Sequence, residues 1–109
     1  MTLSRGAVWW GPAPHKSSPS YRPWVLVSDE THPFSHTESI ALAMTTTQHS
    51  GAIPVSKSDW VRGGSEREAY ISPWYVTTIK HRDLDRQQGV LPATVVDEAV
   101  AELHRYTPQ

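Results

Sequence analysis

The residues of this chain with chemical potential are polar side chains placed at the ends of apolar runs. Arg22 stands directly before Pro23 and the run Trp24-Val25-Leu26-Val27-Ser28. Thr45-Thr46-Thr47-Gln48-His49 closes a second run that begins at Ser39. A guanidinium is a permanent cation with a planar fork of donors that matches phosphate. A hydroxyl can donate to the same oxygens, and an imidazole titrates near neutrality. Taken singly, each has an ordinary reading. An arginine before a strand is usually a surface charge, the β-branched threonines are strand formers, and Gln48 and His49 are loop polarity.

Other chemistries lack their residues. The chain has no cysteine, which removes disulfides, thiolate nucleophiles and Cys-ligated zinc together. Its six histidines are scattered, and only His32 and His36 stand at an i, i+4 spacing. Beside Pro33, in a loop, that pair is not expected to hold a metal, and no cofactor is expected. Phosphate-binding glycine loops, nucleophile elbows and His-Glu-x-x-His are absent.

Composition narrows the class further. A chain of 109 residues suits one domain, 1–109, with its own core. The hydrophobic share is a modest 38%, but five Trp and four Tyr add large buried areas, and nine Pro argue for turns. A net charge of −1 gives no global pull on nucleic acid, so any such surface must be local. Lys80-His81-Arg82 is the densest basic cluster. No run approaches the ~20 apolar residues of a membrane span, and the start of the chain lacks the apolar core of a signal peptide, so the expected compartment is the cytoplasm.

The elements that must position these residues are mostly strands. Ala7 to Trp10 reads as a short strand between Gly6 and Gly11-Pro12. Residues 12–23 form a loop with four prolines, and Trp24 to Ser28 is the strongest strand signal. Ser39 to Thr46 is a strand by alternation, with Ile40, Leu42 and Met44 on one face. Ile53-Pro54-Val55 suits an edge strand, Gly63-Gly64 a turn, and 69–72 with 74–79 a strand pair or one strand interrupted at Pro73. From about 92 to 106, Val96, Ala99, Val100, Leu103 and Tyr106 draw one helical stripe, with Pro92 at its start. Strands followed by one helix predict a mostly β (α+β) domain, a small curled barrel with the helix packed against it.

In order and spacing, Gly6-Ala7-Val8-Trp9, Arg22-Pro23 before the buried strand, Thr46-Thr47-Gln48 and the closing helix resemble the PemK/MazF family of toxin endoribonucleases. The match runs from Gly6 to about Tyr106. The resemblance implies an SH3-like barrel of short antiparallel strands, a homodimer, a small cognate antitoxin protein and growth arrest of the host. It also implies metal-independent cleavage of single-stranded RNA at a short sequence motif, with Arg22 and Thr46 as catalytic residues.

The physical chemistry of that pair is sound. RNA supplies its own nucleophile when the 2′-OH attacks the adjacent phosphorus, so the protein must stabilise phosphoryl charge and manage two protons. Arg22 stays protonated and fits the role of phosphate clamp and proton donor rather than general base. His49 is a better-tuned acid/base candidate. Gln48, Ser17 and Ser18 are further catalytic or substrate-binding candidates, and Lys16, Tyr21, Lys80 and Arg82 are RNA-binding candidates. The chain departs from the family in two places. His15 to Tyr21 replaces a glycine-rich first loop, and Trp74-Tyr75 replaces an acid–amide pair. The alternative reading is a barrel module of the same fold that binds RNA or a protein partner without cutting.

Overall fold

The computed structural model describes residues 2–13 and 20–108 of the chain. Within them lie seven strands, β1 (Ala7–Pro12), β2 (Tyr21–Leu26), β3 (Glu38–Thr45), β4 (Ile53–Val55), β5 (Arg62–Gly63), β6 (Ala69–Lys80) and β7 (Gln87–Val90). One α-helix, α1 (Ala93–Tyr106), follows them, and two single 3₁₀ turns lie at Lys57–Asp59 and His81–Asp83. The strands form one antiparallel sheet in the order β4-β6-β3-β2-β1-β7-β5, so β4 is an edge strand, as its proline requires.

Alternation along the strands gives the sheet two apolar faces. Val8, Val25, Leu42, Met44 and Ile71 pack with Val96 and Ala99 of α1. On the opposite face Trp24, Leu26, Ala41, Ala43 and Ile79 pack with the half-buried Leu3, Trp9, Tyr75 and Leu84. The fold class expected from the sequence is the one observed: a curled antiparallel sheet with one C-terminal helix.

Two irregularities shape the sheet near its chemically interesting end. Between β3 and β6 the partner of Leu42 is Val76, whereas that of Ala43 is Ser72, which leaves residues 73–75 without opposite numbers. This bulge accommodates Pro73, whose missing N–H would break a regular ladder, so β6 runs unbroken through it. Between β1 and β7, Val8 pairs with Gly89 and Trp9 with Gln87, so Gln88 is the extra residue.

Several boundaries differ from expectation. β2 begins at Tyr21, three residues before Trp24, because β1 continues to Pro12 and pairs with it as far as Pro12–Tyr21. The Gly63-Gly64 turn opens inside β5, where Gly63 pairs with Gly89 of β7. Neither β5 nor β7 was expected. In α1, Pro92 is the cap rather than the first helical residue, and Asp97 binds Arg5 at 2.9 Å. Tyr106 ends the apolar stripe half-exposed, edge-on to Trp74.

Candidate active site

Arg22 occupies the second position of β2, on the same face as Trp24 and Leu26 by alternation. Across β1 its partner is Gly11, where a side chain would press on Trp24 and Leu84 at 3.2 Å. On the β3 side Trp24 pairs with Ala43; the same register carried two residues on sets Arg22 opposite Thr45. The Arg22 guanidinium carbon lies 5.3 Å from the centre of the Tyr75 ring, which the bulge of β6 brings to this face. Tyr75 also meets Trp24 edge-on at 5.5 Å, so the cation rests on an aromatic platform anchored in the core.

Arg22, Thr45 and Thr46 line one cavity of about 280 Å³ with Tyr21, Pro23 and Met44. Thr45 is half-buried and its hydroxyl accepts the Thr47 N–H at 3.1 Å, whereas Thr46 is exposed. Alternation turns Thr46 to the Met44 side and Thr45 to the Arg22 side. A second cavity of about 410 Å³ adjoins the first, sharing Trp10, Thr46, Ser65 and Gln88 with it. Its remaining wall includes Glu66, Arg67 and Arg86. Arg67 and Arg86 thus border the second space beside Glu66, whereas the Arg22 guanidinium lies against Tyr75 on the Trp24 face.

Comparison with solved structures decides what this architecture is. MazF from Deinococcus radiodurans superposes over 100% of this chain and 99% of its own, with a TM-score of 0.77 at 12% identity. The Mycobacterium tuberculosis toxin MazF-mt6 covers 93% of this chain and 95% of its own, with a TM-score of 0.69 at 23% identity. The chain has the MazF/PemK-like fold. A mycobacterial endoribonuclease solved with its cognate antitoxin is also similar, with a TM-score of 0.71 at 17% identity over 97% of this chain and 93% of that one. No protein-family model matches the sequence, and no curated protein matches it at a significant level.

On the MazF-like scaffold the sequence-derived candidates divide into groups. Arg22, Thr46 and Tyr21 come together at the first cavity. Lys16, Ser17 and Ser18 lie outside the described residues. Gln48 is exposed in the loop after β3, and the His49 ring packs edge-on to Trp74 at 6.4 Å, so neither lines the two cavities. Lys80 sits at the end of β6, bound to Glu38 at the start of β3. With Arg82, His36 and His81 it borders a separate space of about 470 Å³. Arg82 reaches back toward the site through a further cavity that it shares with Tyr21. Among the described residues, no three His, Asp or Glu side chains are grouped to hold a metal ion.

Sequence reasoning did not find Trp10, Thr45, Ser65, Arg67, Arg86 or Gln88 as site residues. Three consecutive threonines hinted at Thr45, but choosing among them needs the strand register. The others come from β1, the 60s loop, β7 and Arg86 just before it, which meet only in the folded sheet.

Proposed function

We propose that this chain is the toxin of a toxin–antitoxin module, an endoribonuclease that cuts single-stranded RNA without a metal. The observation that carries the reading is the approach of Arg22 and Thr45 on one face of β2 and β3, at the rim of a cavity that both residues line with Thr46. Likeness over nearly the whole chain to MazF, to the toxin MazF-mt6 and to an endoribonuclease solved with its antitoxin supports it.

In the proposed reaction the 2′-oxygen bonds to the adjacent phosphorus while the bond to the 5′-oxygen breaks. The 2′-OH loses a proton and the departing 5′-oxygen gains one, leaving a 2′,3′-cyclic phosphate and a 5′-OH. Arg22 holds the non-bridging oxygens as negative charge grows on them, and a threonine hydroxyl donates to the same group. Tyr75 beneath the guanidinium limits its rotation, so the fork is oriented before substrate arrives. A cytoplasmic homodimer, two-fold like most homo-oligomers and neutralised by a small cognate antitoxin, completes the proposal.

The test is cleavage of a mixed single-stranded RNA in EDTA, beside Arg22→Ala. Cuts that persist in EDTA, end in cyclic phosphate and vanish in the variant support the reading. A folded protein that binds RNA and cuts none of it replaces the enzyme with a binding module.

A further inference from the structure

The second cavity carries features that cleavage of the phosphodiester does not use. Gln88 is the extra residue of the β1–β7 bulge, a device that redirects one side chain out of a regular ladder. Its side chain is anchored, with Nε2 donating to the Gly64 carbonyl at 3.1 Å, and the Gly64 N–H donates to the main-chain carbonyl of Gln88 at 3.3 Å. The Nε2 bond fixes which end of the amide is which, because reversing it would set two carbonyl oxygens against each other. Oε1 is left buried, with no hydrogen-bond partner. A buried acceptor without a donor is costly, and native structures rarely keep one without a use.

The surroundings of that acceptor suit a nucleobase. Trp10 lines both cavities and offers an indole face, over which the Arg86 guanidinium sits at 5.3 Å from ring centre to carbon. A base entering there exchanges one cation–π contact for a stack on the indole, with the guanidinium free to cover the base's other face. Glu66 supplies a second acceptor and Arg67 a donor fork on the same wall. Two acceptors beside a guanidinium select among the four bases. Only guanine sets two adjacent donors, N1–H and the N2 amino group, on its Watson–Crick edge, and its O6 and N7 take an arginine fork.

We infer that the cavity between Trp10, Glu66 and Gln88 is a guanine-binding subsite for the nucleotide next to the scissile bond. Gln88 Oε1, which the side chain must shift to expose, and the Glu66 carboxylate accept from the Watson–Crick edge, and Arg67 donates to O6 and N7. Because Thr46 and Trp10 belong to both cavities, a base held here borders the cavity that Arg22 and Thr45 line. The place of the subsite beside a reaction centre rests on the proposed ribonuclease activity; its base preference rests on the cavity alone.

The experiment is titration of the folded protein with guanosine, adenosine, cytidine and uridine 5′-monophosphates, followed by NMR of the indole N–H signals, with Trp10→Phe assigning the Trp10 signal. Guanosine monophosphate is expected to bind about tenfold more tightly than the others, the scale of one lost hydrogen bond. Gln88→Met should abolish that preference. Gln88→Glu should keep it, since carboxylate oxygens still accept while the bond to Gly64 is lost. Equal binding of the four nucleotides overturns the subsite. So does a preference that survives Gln88→Met, or one that falls equally in the Met and Glu variants, which marks Gln88 as a strut for the Gly64 loop. RNA cleavage measured in parallel separates the two readings. Guanine preference without cleavage keeps the subsite and removes the enzyme, whereas Arg22-dependent cleavage without base preference does the reverse.

Discussion

Arg22, which the family resemblance and not the bare sequence singles out, enters β2 at the rim of a cavity that it lines with Thr45 and Thr46. The resemblance points to Thr46 among three consecutive threonines, and nothing local to the run separates them. Which hydroxyl faces the guanidinium depends on the pairing of Trp24 with Ala43, a long-range fact with no trace in local sequence. The register aligns Thr45 with Arg22, while Thr46 opens toward Gln88 and Trp10. Arg22→Ala is therefore expected to lower single-turnover RNA cleavage by about 100-fold or more, the usual cost of one oriented donor to a developing oxyanion. Arg22→Lys should fall between, keeping charge but losing the fork. Thr45→Ala should cost more than Thr46→Ala in the same assay, with Thr45→Ser restoring most of the rate. A larger loss at Thr46 would show that substrate draws the guanidinium off Tyr75 to the other side of the sheet. Circular dichroism of each variant checks that the fold survives.

At the scale of elements, alternation exposed β3, the apolar run exposed β2, and the stripe of Val96, Ala99 and Leu103 exposed α1. The strands that build the second cavity left no such trace. Gln87-Gln88-Gly89-Val90 has no alternation, and Arg62-Gly63 is too short to show any. Their pairing is instead written in glycines that permit close approach. Gly63 has φ +69°, and a Cβ there would lie 2.1 Å from the Gln88 carbonyl oxygen. At Gly89 a Cβ would meet the Arg62 carbonyl oxygen at 2.5 Å and the Trp60 ring at 2.8 Å. Gly63→Ala thus combines a left-handed backbone strain of about 1–2 kcal/mol with a backbone clash that β5 can relieve only by leaving β7. The expected result is a folded protein with a lower thermal midpoint, rapid amide exchange at Gly64, and loss of the Gln88 anchor. Exchange at Val25 and Leu42, in the central strands, should change little. Uniform loss of protection across β2 and β3 would mean that the β5–β7 pair supports the whole sheet.

For the molecule as a whole, the central strands carry both apolar faces, so one truncation is felt by both. Leu42 is fully buried under α1 while its neighbours Ala41 and Ala43 face Trp24, and Leu42→Ala should cost about 2–5 kcal/mol in urea unfolding. Acid should loosen the same strands from their far end. His81 is bonded through Nε2 to the buried Ser39 hydroxyl at 2.8 Å, and burial pushes its pKa below the ordinary 6.5, opposed by a bond to the His36 backbone and by Glu38. The bond from Lys80 holds the Glu38 carboxyl below its ordinary 4.5. For His81 the unfolded chain takes the proton first, so its contribution is complete above 6.5 and is lost as pH falls from there toward the folded value. For Glu38 the loss begins only below 4.5. Stability should therefore fall in two stages on acidification, with histidine first and carboxylate second. His81→Gln should flatten the first stage and leave the second, whereas Glu38→Gln should flatten the second. Urea midpoints at about pH 7.5, 5.5 and 3.5 measure both stages. An unchanged first stage in His81→Gln would place the titrating group elsewhere and leave the Ser39–His81 bond as packing alone.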